Sequence, residues 1–247
     1  MVSASDLKVK IYADGADLDG IRAVSANPFV KGFTTNPTLM RKAGVTDYET
    51  FARAVLNEVK NRSISFEVFA DDFETMEAQA RVIASWGPNV YVKIPVTNTA
   101  GQSAAPLASR LSKAGIQLNV TALMTLKQVE EITDALAPAT PAYISVFAGR
   151  IADTGIDPLP LMIESVSVMK AKPKAELIWA SPRELLNIFQ ADQIGCHIIT
   201  VTNEVLGKLA LVGKDLEEYS LETVAMFYRD ARAAGFSIRT EAVTAKV

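Results

Sequence analysis

A lysine stands in the middle of the apolar run VYVKIPV, where Val92 and Ile94 flank Lys93. If this run is a strand, alternation turns Lys93 away from its two neighbours and toward the opposite face of the sheet. An ammonium in apolar surroundings is costly unless it is paired or neutralised. A free amine in such a place is a nucleophile toward carbonyl groups. The plain alternative is a lysine that pairs with Glu67 or Asp14 and does no chemistry. Asp14 and Glu67 end or interrupt other apolar runs, so they are candidates for general acid and base work beside Lys93. Arg150 and Arg183 offer the two-pronged guanidinium geometry that binds phosphate or another anionic substrate end.

What the chain lacks narrows the chemistry further. Its 247 residues include one His, His197, and one Cys, Cys196. A Ser-His-Asp or Cys-His mechanism would have to use His197, and a zinc centre of several imidazoles or thiolates cannot be assembled. His197 opens an apolar run and reads as a structural strand residue, and Cys196 as a small buried hydrophobe. The carboxylates show no cluster with metal-binding spacing apart from Asp71 and Asp72, which read as the start of a helix. Neither a metal nor an organic cofactor is expected.

The elements that must position these residues follow from the apolar pattern. Eight short runs rich in β-branched residues recur: 9–13, 30–33, 64–69, 90–96, 116–120, 142–147, 176–179 and 197–201. Amphipathic segments with helical spacing separate them, among them 47–61, 73–86, 103–113 and 126–136. Strand then helix, eight times over, closes into a (β/α)8 TIM barrel of the α/β class. An open doubly wound sheet is the runner-up, but the turn after the first run reads YADGADLDG and carries no GxGxxG or GxxxxGKS/T pattern. One barrel domain over 1–247 is expected, with an extra carboxyl-terminal helix at about 219–235 that covers the barrel or a neighbouring subunit.

Active sites of such barrels lie at the carboxyl ends of the strands. Polar residues stand at nearly every such end: Asp14, then Thr34, Thr35 and Asn36, then Glu67, Lys93, Asn119 with Thr121, Ser145 with Arg150, and Ser181 with Arg183. The composition is 49% hydrophobic and 21% charged, and 25 basic against 28 acidic side chains give a net charge of −3. That is an ordinary globular balance with no basic run, so neither nucleic acid nor an anionic membrane is an expected partner. The longest uncharged stretches, 94–109 and 135–149, carry Pro, Gly or hydroxyl residues and do not read as membrane spans. With MVSASDLKVK at the amino terminus and one Cys, a cytoplasmic protein is expected.

Taken in order, IYADGAD, GFTTNPTL, VYVKIPVT, LNVTAL, ISVFAGRIAD and IWASPREL resemble the transaldolase family, Schiff-base-forming sugar enzymes with a (β/α)8 barrel. By length the chain is most similar to the compact branch, which also holds fructose-6-phosphate aldolase. The resemblance implies that Lys93 forms a Schiff base with a ketose carbonyl and that Asp14 handles the proton of the C4 hydroxyl. It implies that Glu67 and Thr121 hold a catalytic water, and that Thr35, Asn36, Asn119, Ser145 and Phe147 contact the sugar. Arg150, Ser181 and Arg183 then match the phosphate-binding group.

The implied activity is transfer of a dihydroxyacetone unit from a ketose phosphate, of the fructose 6-phosphate type, to an aldose phosphate. This is transferase chemistry of the pentose phosphate pathway, carried out in the family by homo-oligomers. The aldolase carries Tyr where this chain has Phe147, and Gln where it has Glu67, which favours transfer over release. Release of free dihydroxyacetone by a lyase, a differently substituted anionic ketose as donor, and a barrel that binds sugar phosphate without turnover are the alternatives. Departures from the family pattern fall at Gly15, Trp179 and Pro182, the last two beside the anion-binding residues.

Overall fold

Each of the eight apolar runs forms a strand in the computed structural model, which describes residues 4–15 and 17–238. Ala16 and the two ends of the expected 1–247 domain lie outside the described residues. The strands are β1 (Lys10–Asp14), β2 (Val30–Thr34), β3 (Ser63–Glu67), β4 (Val90–Pro95), β5 (Leu118–Leu123), β6 (Ala142–Val146), β7 (Ala175–Trp179) and β8 (Ile198–Val201). All pairs are parallel, each strand joins the next, and β8 returns to β1, so the sheet closes into a barrel.

The helices of the barrel unit are α1 (Leu18–Ser25), α2 (Pro37–Lys42), α3 (Tyr48–Glu58), α4 (Phe73–Ala84), α5 (Ala105–Lys113), α6 (Leu126–Ala135), α7 (Ala148–Asp153), α8 (Leu159–Met169), α9 (Leu186–Gln193) and α10 (Asn203–Gly207). Several begin on a side chain that accepts from the first turn, which satisfies donors that the helix itself leaves unpaired. Asp72 does this for α4 through Thr75 N, as its place in the sequence suggests, and Asn36 does it for α2 with Pro37 at the first position. Thr125 and Gln128 form a reciprocal capping box on α6.

Alternation along the strands sorts side chains into two layers. Val92, Ile94, Leu118, Val120, Ile144 and Leu177 point outward and are buried against the helices. Each contributes roughly 1.5–3 kcal/mol by leaving water. The inward residues of the lower barrel form a second cluster around Tyr12, Tyr143 and Ile178, with Tyr91 packed against it. There the Tyr12 and Tyr143 hydroxyls lie 2.8 Å apart, Ser63 Oγ donates to the Tyr12 hydroxyl at 2.8 Å, and the Tyr91 and Tyr143 rings stack at 3.9 Å. Burial raises the Tyr143 hydroxyl well above the ordinary tyrosine range, so it serves as a neutral hydrogen-bonding group. Gly32 makes room for this plug, because a Cβ there would sit 2.5 Å from the Tyr12 ring.

Two strands differ from the sequence reading by more than one residue at an end. β3 ends at Glu67 rather than running to Phe69, because Gln79 Oε1 accepts from Phe69 N and Ala70 N and takes the chain out of the ladder. β5 begins at Leu118 and runs on to Leu123 through a register shift, with Ala122 held at φ 67°. His197 and Cys196 behave as structural residues. His197 Nδ1 accepts from Leu177 N at 3.1 Å, and the Cys196 thiol is buried.

The segment beyond the barrel unit carries α11 (Leu216–Ala233), which starts three residues before the expected Tyr219 and stops short of Gly235. Asp215 caps it by accepting from Glu217 N and Glu218 N, and Gly235 at φ 69° ends it. None of its residues is buried. Among the described residues no helix is long and apolar enough to cross a membrane.

Candidate active site

The register of the barrel brings together residues that the sequence keeps far apart. Glu67 is paired in register with Lys93, Lys93 with Asn119, and Asp14 with Thr34. All of them line a cleft of about 430 Å³ at the carboxyl end of the strands, together with Asn36, Thr121, Ser145, Phe147, Arg150, Ser181 and Arg183. Eleven of the twelve side chains expected from the sequence therefore share one cavity.

Lys93 is buried, with 7% of its surface exposed. Its Nζ lies 3.2 Å from Glu67 Oε2 and donates to the Thr35 carbonyl at 3.1 Å. Removing one member of so enclosed a pair would leave an unpaired charge, which is why Lys93 and Glu67 act as a unit. Glu67 is anchored in turn by its backbone: its N–H donates to the Tyr48 hydroxyl at 2.7 Å. Thr121 Oγ1 is buried and makes no hydrogen bond to the protein among the described residues, which leaves its donor and its lone pairs for a ligand or water.

Asp14 accepts from Thr34 Oγ1 at 2.8 Å and from Asn36 Nδ2 at 3.3 Å. Burial raises its pKa above the usual carboxylate value, and Lys93, Thr34 and Asn36 oppose that rise in part. A carboxylate whose charge is penalised by burial takes up a proton more readily, as a group that must accept and return one requires. Asn119 is fixed at both ends, since its Nδ2 donates to Ser65 Oγ at 2.9 Å and its Oδ1 accepts from Ser145 Oγ at 2.7 Å.

The arginine-bearing side of the cleft is assembled by the start of α7 and the loop after β7, which touch through their backbones. Ser181 has φ 60°, a left-handed conformation that costs a non-glycine residue about 1–3 kcal/mol. Its carbonyl then lies against Gly149, where an added Cβ would stand 1.5 Å from the Ser181 oxygen. Only glycine fits there. The contact brings Arg150, next in sequence to Gly149, and Arg183 to the same wall. Arg183 Nε donates to Asp153 Oδ1 at 2.9 Å, and a second bond joins Nη2 to Oδ2. The guanidinium beside it holds the Asp153 carboxyl below the usual range. Arg150 lies over the Phe147 ring, 5.7 Å from its centre.

One sequence expectation is corrected. Thr35 does not line the cleft: its hydroxyl donates to the Ser65 carbonyl at 2.9 Å, because alternation sends Thr34 inward and its neighbour out. Its contribution is the backbone carbonyl that receives Lys93. Pro182 lines the cleft, but Trp179 is buried in the outer core and does not reach it. The sequence reading also passed over Thr200 and Thr202, which line the cleft, and left Thr34 out of the expected site. For Thr34 and Thr200 the signal was a polar residue in the inward phase of a strand, the same one that drew attention to Lys93, whereas Thr202 follows β8 and caps α10. No group of three or more His, Cys, Asp or Glu side chains arranged to hold a metal ion occurs among the described residues.

Carbonyl chemistry through a lysine amine, on a substrate with an anionic end, is what this cleft suits, so fold and site together define a barrel enzyme of the Schiff-base-forming class. The chain belongs to the transaldolase and fructose-6-phosphate aldolase family, whose description, Transaldolase/Fructose-6-phosphate aldolase, is matched by residues 11–246. It is 37% identical over 199 residues to a "Probable transaldolase" of Dehalococcoides mccartyi, covering 80% of this chain and 88% of the relative. A "Probable transaldolase" of Thermoanaerobacter sp. is 35% identical over 231 residues, 93% of this chain and all of the relative. Among solved structures, a 3-keto-L-gulonate-6-phosphate decarboxylase from Vibrio cholerae matches with a TM-score of 0.54 at 13% identity, over 79% of this chain and 88% of that one, a likeness of fold alone.

Proposed function

We propose that this chain is a transaldolase that moves a dihydroxyacetone unit from a ketose phosphate to an aldose phosphate through a Schiff base on Lys93. The observation that carries the reading is the enclosed Lys93 and Glu67 pair in one cleft with Asp14 and the two arginines. The amine attacks the ketose carbonyl, and Glu67 with the free hydroxyl of Thr121 manages the water that leaves. The iminium draws electrons from the C3–C4 bond while Asp14 takes the proton of the C4 hydroxyl, and the aldehyde departs. The enamine stays on Lys93 until an acceptor aldehyde arrives and Asp14 returns the proton to the new hydroxyl; water then hydrolyses the iminium, releasing the product ketose and the free Lys93 amine.

Asn36, Asn119 and Ser145 hold the three-carbon unit, and Arg150, Ser181 and Arg183 receive the phosphate. Phe147 supplies no hydroxyl to help water protonate the enamine, which favours transfer over release. Cytoplasmic location is supported by the lone buried thiol of Cys196, which burial pushes up to about 12 and which offers no disulfide framework. The exposed Leu216, Leu221, Val224 and Phe227 of α11 support a homo-oligomer in which a neighbouring subunit covers that helix.

Borohydride reduction in the presence of fructose 6-phosphate tests the reading. A reduced three-carbon adduct on the peptide containing Lys93 is expected, and it disappears in Lys93→Ala. An unmodified Lys93 with full turnover, or free dihydroxyacetone released at the same rate without any acceptor aldose, would refute transfer by this route.

A further inference from the structure

Thr200 stands in the inward phase of β8, on the strand that closes the barrel against β1, and is buried at 7% exposure. Its Oγ1 lies 2.5 Å from Thr34 Oγ1, which in turn lies 2.8 Å from Asp14 Oδ1. A threonine hydroxyl has one proton to give. Thr34 gives its proton to Asp14, so the short contact between the two hydroxyls must be donated by Thr200. The three side chains therefore form a directed chain from β8 through β2 to β1, ending on the carboxylate.

The chain has a property that a single hydrogen bond lacks. When Asp14 is ionised, Thr200 donates to Thr34 and Thr34 to Asp14. When Asp14 carries the proton, all donors reverse, Asp14 giving to Thr34 and Thr34 to Thr200. Neither state leaves the Thr34 hydroxyl without a partner, and no heavy atom has to move.

We infer that Thr200 is a positioning residue for Asp14, acting through Thr34 to keep one carboxylate geometry in both protonation states of the reaction. This rests on the proton-transfer role given to Asp14 above. Thr200 also favours the ionised form, because the hydroxyl that donates to Asp14 is itself polarised by a donor. The other charged groups near Asp14 come from every side of the site. Lys93 is on β4, with Glu67 on β3 paired to it. Arg150 and Arg183 share the cleft, and Asp17, Lys42 and Glu204 line the adjoining hollow that Asp14 also borders. None of these touches Thr200 through a hydrogen bond, so replacing its hydroxyl perturbs the chain and leaves their pairings in place.

The test is the pH profile of the first half-reaction, measured as aldehyde released from fructose 6-phosphate in a single turnover. Thr200→Val keeps the shape and removes the donor. The acid limb is expected to move up by about half to one pH unit, since losing a donor disfavours the ionised carboxylate. The plateau rate is expected to fall by about 3- to 10-fold, the worth of one indirect hydrogen bond, with KM within about twofold of wild type. Thr200→Ser is expected to restore the profile, and Thr200→Ala stands in if the valine variant fails to fold. An unmoved limb in both Thr200→Val and Thr200→Ala, or a serine variant as impaired as valine, overturns the inference. Asp14→Asn separates the two readings. An active Asp14→Asn enzyme overturns the role of Asp14 and the inference with it, whereas an inactive one with an unmoved Thr200→Val limb overturns the inference alone.

Discussion

Replacing Gly149 by alanine places one methyl group where the structure leaves room for none. The added Cβ would stand 1.5 Å from the Ser181 carbonyl oxygen, 2.7 Å from its carbon and 3.3 Å from Arg183 Nε. Non-bonded carbon and oxygen seldom approach closer than about 3.3 Å even in favourable CH contacts, so the carbonyl must retreat by well over 1 Å. The obstacle is backbone, and Ser181 already sits at φ 60°, so the loop has little freedom to yield. Overpacking of this kind costs typically 1–3 kcal/mol. A misplacement of about 1 Å in a positioning group costs on the order of 100-fold in rate. Gly149→Ala is therefore expected to fold, with a lowered melting temperature, and to lose about two orders of magnitude in kcat/KM for a phosphorylated donor. Steady-state kinetics beside a thermal melt checks both halves. A variant with kcat/KM within threefold of wild type, or a crystal structure of it with the Ser181 carbonyl unmoved, would refute the packing argument.

Two further outcomes follow from charge. Burial raises the Asp14 carboxyl, so the folded state binds its proton more tightly than the unfolded chain does. The stability this group contributes is complete below the unfolded value and is lost as pH rises through the folded one. At pH 7 Asp14→Asn is accordingly expected to abolish turnover yet raise the melting temperature by about 2–4 °C, the size of a change of about 1 kcal/mol in a chain of this length; a lower melting temperature would contradict it. Asp153 has the opposite sign. Arg183 lowers its carboxyl, so their pairing is present above the unfolded value and is lost as pH falls through the folded one. Asp153→Asn is expected to raise KM for the phosphorylated donor by several-fold and to leave kinetics on an unphosphorylated ketose unchanged, since the pair is exposed and its effect is orientation more than stability. Equal losses on both donors would contradict that.

Much of this site is legible in the sequence because a barrel turns strand position into depth. Lys93, Glu67 and Asn119 stand out as polar residues inside apolar runs, and register alone carries them to one level of the cavity. What stays hidden depends on contacts between loops or on phase. The pairing of Asp153 with Arg183 joins residues thirty apart that no periodicity links. Gly149 reads as an ordinary helix-start glycine until the Ser181 carbonyl is seen against it. Adjacent threonines at 34 and 35 look equivalent, yet the pleat sends one toward Asp14 and the other toward the Ser65 carbonyl. Thr200 escapes notice for a related reason. Threonine is as good a strand former as valine, so a hydroxyl in IITV looks like β propensity rather than a hydrogen-bond donor.

The tyrosine plug beneath the cleft has a consequence for the order of events. Tyr12, Tyr91 and Tyr143 fill the lower barrel, so substrates reach the cleft from the carboxyl ends of the strands. The first aldehyde must leave by the way the second comes in, so departure precedes arrival and the enzyme carries its three-carbon cargo alone between the two. Double-reciprocal plots at several acceptor concentrations should then run parallel, a kinetic signature dictated by a dead end.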